Sequence, residues 1–399
     1  NNIILLLHHS MHVLFPRLSF LLLTICTFLL FQAHQSKTKL PFSTAALKMA
    51  SRILNESKRD EKDQEIVTSF IDFLNEAVSP FHAVQAAKDI LMIAGFIELN
   101  EADGWEGQIS PGGKYFFTRN YSTIVAFAVG NDYKPDGTSG FTIVGAHTDS
   151  PCPKLKPVSN LKKGGFEMLN VQPYGGGLWH TWFDRDLSVA GRAVVRRGGG
   201  GGGGGYEHRL VRVPRALLRI STLAIHLTSA EERKGFAPNL QNHFVPALAT
   251  EAREKLWAEG AGAAATAAAA ATGDGRHSPL LLSLLAEELG CDAGDIEDFE
   301  LAVCDTQPSA TGGAFDEFVF SGRLDNLCSS FQAIRALVDS SESLASEPNI
   351  RLAFLFDHEE IGSVSAVGAA GAVSVETLRR VAGALRAAGA GGAAAAAAG

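Results

Sequence analysis

"RLAFLFDHEEIGSVS", residues 351–365, decides how this chain is read. Arg351 to Phe356 make a mainly apolar run of strand length, and Asp357, His358, Glu359 and Glu360 follow without a break. An unpaired carboxylate costs several kcal/mol to bury, so a core strand that runs into an acidic cluster calls for compensating positive charge. The carboxyl ends of strands are also where open α/β sheets hold their ligands. A divalent cation would offset these charges better than a salt bridge would. Taken alone, the stretch fits a solvated loop equally well.

Two further stretches shift that balance. "TIVGAHTDSP" (142–151) delivers His147 and Asp149 at the end of a second apolar run. An H-x-D pair suits an imidazole metal ligand whose tautomer is fixed by a nearby carboxylate. "FSGRLDNLCSS" (320–330) places Asp325 just before a helical pattern, where by itself it reads as an N-cap. Together the three give one imidazole and several carboxylates, an N/O donor set that suits zinc or manganese better than calcium or copper.

Around these stretches the pattern is α/β. Ile66, Val67, Phe70, Ile71 and Leu74 fall on one helical face in 64–80, with Pro80 as the expected stop. A second helix over 82–96 closes at Gly95, 114–120 and 122–130 read as a hairpin, and 141–150 reads as a short buried strand that ends at His147. From Pro151 the character changes. "LSVAGRAVVRR" (187–197) and "LLRISTLAIHL" (217–227) are strand-like, before a helix over 326–340 and a strand over 349–356. The expected organisation is one α/β catalytic domain in two parts, 60–154 and 316–374. A β-rich domain, 155–315, is inserted between them.

The bulk properties narrow the class. The 399 residues are 46% apolar and 20% charged, and the formal net charge of −8 argues against a nucleic-acid binder. The five cysteines, Cys26, Cys152, Cys291, Cys304 and Cys328, are odd in number, widely spaced and without a CxxC pair. That is the pattern of a reduced, cytoplasmic protein without a thiolate zinc site. Residues 1–48 carry an apolar run at 18–32 and no acid before Glu56, so they read as a targeting segment or an over-extended start. Organellar or secretory targeting follows if they are genuine; with them set aside, no stable membrane association is expected. The Gly run 198–205 and the Ala-rich 261–275 read as loop expansions, and 375–399 as a low-complexity Ala/Gly tail.

"GAHTDSPCPKLKP" (145–157), "YGGGLWHTWFDRDLSVAGR" (174–192), "SGRLDNLCSSFQA" (321–333) and "FDHEEIGSVSAVGA" (356–369) resemble, in order and spacing, the signature blocks of the aspartyl aminopeptidase family. These are dinuclear zinc exopeptidases that remove acidic residues from peptide N-termini. The resemblance runs from about Gln64 to about Gly371. It implies a zinc-exopeptidase-like mixed, mainly parallel sheet flanked by helices, with an inserted β-rich domain that serves oligomerisation. It also implies homo-oligomers acting on peptides with an acidic first residue through a metal-activated water.

Carried over by position, the resemblance makes His147 a ligand of one of two Zn2+ ions and Asp149 its orienter. Asp325 bridges the ions, Glu360 binds the second, and Glu359 is the general base. His180 reaches a neighbouring subunit's site to help hold substrate. The family completes its site with an Asp and a His well beyond the paired glutamates, whereas 361–399 contains no Asp, no His and one acid, Glu376. The sequence therefore also fits a truncated or inactive relative that acts as an assembly subunit.

Overall fold

The computed structural model describes residues 62–197, 205–271 and 275–397. The expectations for residues 1–48 and for most of the Gly run lie outside them. Contacts divide the chain after Val67, within the helix α1 (residues 62–76), and both large sheets belong to the second unit, Thr68–Gly399.

Pro80 does not stop α1. It opens α2 (Pro80–Ile93), behind Ser79, whose Oγ accepts the His82 N–H. Proline suits that first turn because its missing N–H would have had no helical partner there. Gly95 follows α2 at φ +78°, the left-handed conformation a helix end favours. The first sheet comprises β1 (Ile97–Glu98), β2 (Lys114–Arg119), β3 (Thr123–Val129), β4 (Phe141–His147) and, far along the chain, β13 (Ile350–Phe356). Its order is β1-β2-β3-β13-β4, with β2–β3 the expected hairpin. The sheet is mixed: β1–β2 and β13–β4 pair parallel, β2–β3 and β3–β13 antiparallel.

β3 is buried along its whole length. β4, expected to be buried too, leaves Ile143 and Val144 about half exposed (47% and 49%). Among the described residues β4 pairs with β13 alone, so it forms an edge. The pairing of β13 with β4 brings the two acidic stretches together. Its parallel register sets Leu355 beside Ala146 and Phe356 beside His147, so both strands release their chains at one level.

The second sheet is built from β5 (Cys152–Lys163), β6 (Phe166–Tyr174), β7 (Leu187–Arg196), β8 (Tyr206–Arg212), β9 (Ala247–Thr250) and β10 (Ile296–Asp305). All its pairings are antiparallel, in the order β8-β7-β10-β5-β6-β9. The expected strand over 217–227 is absent. Leu218 and Arg219 make isolated bridges, and Ile225–Leu227 is a single 3-10 turn. Its apolar residues are interrupted by Arg219, Ser221 and Thr222, and Leu223, Ile225 and Leu227 are left exposed.

Among the described residues three α-helices lie between β9 and β10: α3 (Glu251–Ala261), α4 (Ala263–Ala271) and α5 (Pro279–Leu289). The Ala-rich segment, expected as a loop, is helical through Ala271, as alanine's propensity dictates. α5 buries Leu281, Leu282 and Leu285 in one core with Leu187 and Val189 of β7. The small hairpin β11 (Ala310–Gly312) and β12 (Phe318–Phe320) leads into α6 (Leu324–Ser340). Phe331 of α6 packs against Phe70 and Phe73 with ring centroids 5.1 and 5.6 Å apart.

The supposed tail is helical as well. α7 (Val373–Ala397) buries Val381, Ala384 and Leu385 in one core with Val125, Phe127 and Phe354. The spacing i, i+3, i+4 is hidden in a background of Ala and Gly. Among the described residues no helix is long and apolar enough to cross a membrane.

Candidate metal centre

Each candidate side chain leaves the end of an element. His147 is the last residue of β4, and its backbone carbonyl accepts from Ser330 Oγ of α6 at 2.7 Å. Asp149 follows two residues later and is fully buried. Glu359 and Glu360 begin a 3-10 turn, Glu359–Ile361, three residues beyond β13. Asp325 stands in the first turn of α6 with non-helical backbone (φ −83°, ψ 108°), and its carbonyl accepts from Ser150 Oγ at 2.8 Å.

The fold gathers these residues from three parts of the chain. Donor atoms of His147, Glu359 and Glu360 all lie within 4.8 Å of one another. His147 Nε2 is 3.3 Å from Asp325 Oδ1 and 3.7 Å from Glu359 Oε2. Ligand atoms 2.0–2.2 Å from one tetrahedral zinc would lie about 3.3–3.6 Å apart; the 3.3 Å between His147 Nε2 and Asp325 Oδ1 matches that spacing, and the donor types suit the ion. Asp325 is the outlying member. Its carboxylate is 82% exposed and approaches His147 without entering the mutual three-residue set. His180 stands in the turn Trp179–Trp182, exposed and outside this donor cluster.

Asp149 is the hub. Its carboxylate lies 3.3 Å from His147 Nδ1 and accepts Tyr174 Oη–H at 2.7 Å. It also accepts the backbone N–H groups of Glu359 (3.3 Å) and Glu360 (3.1 Å). The Asp149 carbonyl lies 3.0 Å from the same Nδ1. Both neighbours of Nδ1 are thus acceptors, which places the proton there and leaves Nε2 free for a ligand's role.

The electrostatics follow from burial and crowding. Burial opposes ionisation of Asp149, but the bonds from His147, Tyr174 and Glu360 N–H outweigh it and hold the carboxyl below its usual range. Burial also opposes charging of His147, yet Asp149 and Glu359 raise its pKa overall. Glu360 is pushed up to about 7, by burial first and then by the charges of Asp149, Glu359 and Asp325 against the relief from His147. One imidazole cannot balance this many carboxylates. A divalent cation is the natural counter-charge.

Sequence reasoning missed two contributors. Tyr174, at the end of β6, supplies the hydroxyl on Asp149, and its ring lies 3.9 Å under Lys154 Nζ. Gly175 has φ +75°, and a Cβ there would meet Glu360 Cβ at 2.9 Å. Both stand in the "YGGG" block, where the run of glycines after the tyrosine was the available signal.

Residues 73–391 match the family described as Aminopeptidase I zinc metalloprotease (M18), and the chain belongs to that family. It is 46% identical over 341 residues to a probable aspartyl aminopeptidase of Ricinus communis, covering 82% of this chain and 68% of that one. Among solved structures it is similar to the cryo-EM structure of the Ape4 and Nbr1 complex (42% identity, TM-score 0.73), covering 80% of this chain and 59% of that one. It is also similar to the S. cerevisiae mApe1 dodecamer (26% identity, TM-score 0.66), covering 81% and 67%. The chain therefore spans about two thirds of the length of such relatives.

Proposed function

We propose that the intact protein is a zinc aminopeptidase that releases N-terminal Asp or Glu from peptides. The observation that carries this reading is the convergence of His147, Glu359 and Glu360 donor atoms, in a chain of this family, around the hub Asp149. His147 Nε2, Glu360 and Asp325 would hold zinc, and the resemblance makes Asp325 the ligand shared between two ions.

Bound zinc supplies Lewis acidity, lowering the pKa of water at the site to near neutral and polarising the scissile carbonyl. Asp149 keeps the His147 proton on Nδ1 and fixes the ring plane. Glu359, about half exposed at the mouth of the site, takes the proton of the attacking water at Oε2 and returns it to the leaving amine. The preference for an acidic first residue rests on the resemblance and on the name of the Ricinus relative.

The second sheet, with the segments around it, would form the inserted domain of 155–315. It would serve self-association, and His180 would act from its exposed turn toward a neighbouring subunit. The dodecamer named for the yeast relative supports that reading.

The test is hydrolysis of Asp-, Glu- and Leu-initiated chromogenic peptides by the zinc-loaded chain. Release from the acidic pair, abolished by Glu359→Gln, is expected. Equal turnover of the Leu substrate would overturn the specificity. Turnover undiminished in Glu359→Gln would overturn the base assignment. A chain that binds zinc yet cleaves none of the three would favour the inactive assembly subunit.

A further inference from the structure

We propose that a cavity of ≈ 180 Å³ at the end of β8, lined by Arg212 and Arg323, is a binding site for a small oxyanion such as phosphate or a carboxylate. Neither guanidinium has a carboxylate within 4.0 Å among the described residues. Arg212 Nη1 donates to the Asn75 carbonyl at 2.8 Å and Arg323 Nη2 to the Leu74 carbonyl at 3.1 Å. Both carbonyls belong to the last turn of α1, so capping a helix end accounts for one donor from each arginine.

That role leaves most of the charge and most of the donors unused. A helix C-terminus offers about half a negative charge against two positive ones. Arg323 Nε is buried and has no hydrogen-bond partner. Of the two acids in the lining, Asp305 is already engaged on both oxygens: Oδ2 by Arg185 and Oδ1 by the Gln307 N–H at 2.9 Å. Glu76, the other acid in the lining, is exposed to solvent.

Two guanidinium groups lining one cavity match an oxyanion, which accepts charge-assisted hydrogen bonds from both. The anion would tie the end of β8 in the second sheet to the segment that leads, through Leu324, to Asp325. This is independent of the peptidase reading.

The test uses the full 399-residue chain, freed of metal with EDTA, in sodium phosphate or sodium succinate against sodium chloride at equal ionic strength. Saturating phosphate is expected to raise Tm by about 2–4 °C above the chloride control. Arg212→Gln should lose that rise. Should that variant fail to fold, Arg212→Lys keeps the charge without the fork, and a phosphate affinity at least about fivefold weaker is expected. A larger rise with succinate than with phosphate would identify the ligand as a carboxylate. A rise no greater than with chloride, or one that persists unchanged in the Arg212 variants, overturns the site.

Discussion

Asp149 concentrates at one buried carboxylate the bonds that hold the centre together, and the residue-scale predictions turn on it. Tyr174→Phe removes one hydroxyl from that carboxylate and leaves the ring under Lys154 in place. Zinc affinity should fall about 10-fold while Tm changes little, since groups that orient a metal's ligands typically carry 10–100-fold in affinity. Isothermal titration with zinc checks this, and an unchanged affinity would remove Tyr174 from the site. Glu359→Gln separates base from ligand. As a base, it keeps the wild-type zinc stoichiometry and loses about 10²–10⁴-fold in kcat. Loss of bound zinc in that variant would reassign Glu359 as a ligand, a role its place in the mutual donor set also allows.

At the scale of elements, the site depends on how β4, β13 and β6 end together. Gly175 is where β6 hands over to the turn beside Glu360. Gly175→Ala combines a left-handed φ of +75° with a Cβ 2.9 Å from Glu360 Cβ. A destabilisation of about 1–2 kcal/mol is expected from the backbone alone, measurable by urea unfolding. Weaker zinc binding should accompany it, because Glu360 must move. Phe331→Ala, which empties the contact of α6 with Phe70 and Phe73, should cost about 3–5 kcal/mol.

Legibility in the sequence divides along the same lines. β13, the β2–β3 hairpin and α6 were legible because their apolar periods are strong and their ends are marked. His147, Asp149, Glu359 and Glu360 were legible because titratable residues at the ends of apolar runs are conspicuous. The strand expected over 217–227 is missing because local apolar content does not say which faces find partners. α4 and α7 were hidden by low complexity: alanine signals helix without revealing a packing face. Tyr174 could not be found from spacing, since a tyrosine at a strand end becomes a site residue only once folding brings Asp149 beneath it.

At the scale of the whole molecule, pH and metal are the levers. His82 Nδ1 sits 2.8 Å from Ser79 Oγ, and burial, with the charge of Arg212, lowers its pKa to about 4 from 6.5. The unfolded chain therefore binds the proton that the folded chain refuses between those values. Stability from this group is full above about pH 6.5 and is lost as pH falls through about 4, by roughly 3 kcal/mol in total. Denaturant midpoints measured from pH 7 to pH 4 should fall more steeply for the wild type than for His82→Gln. Parallel curves would show that His82 does not titrate across the transition.

The most direct measurement is zinc bound per chain, determined on purified wild type and on His147→Ala, Glu360→Gln and Glu359→Gln after dialysis against limiting chelator. The wild type should retain zinc, the first two variants should lose it in part or entirely, and Glu359→Gln should match the wild type. Zinc retained equally by all four chains, or by none, would contradict a metal centre at the joined ends of β4 and β13.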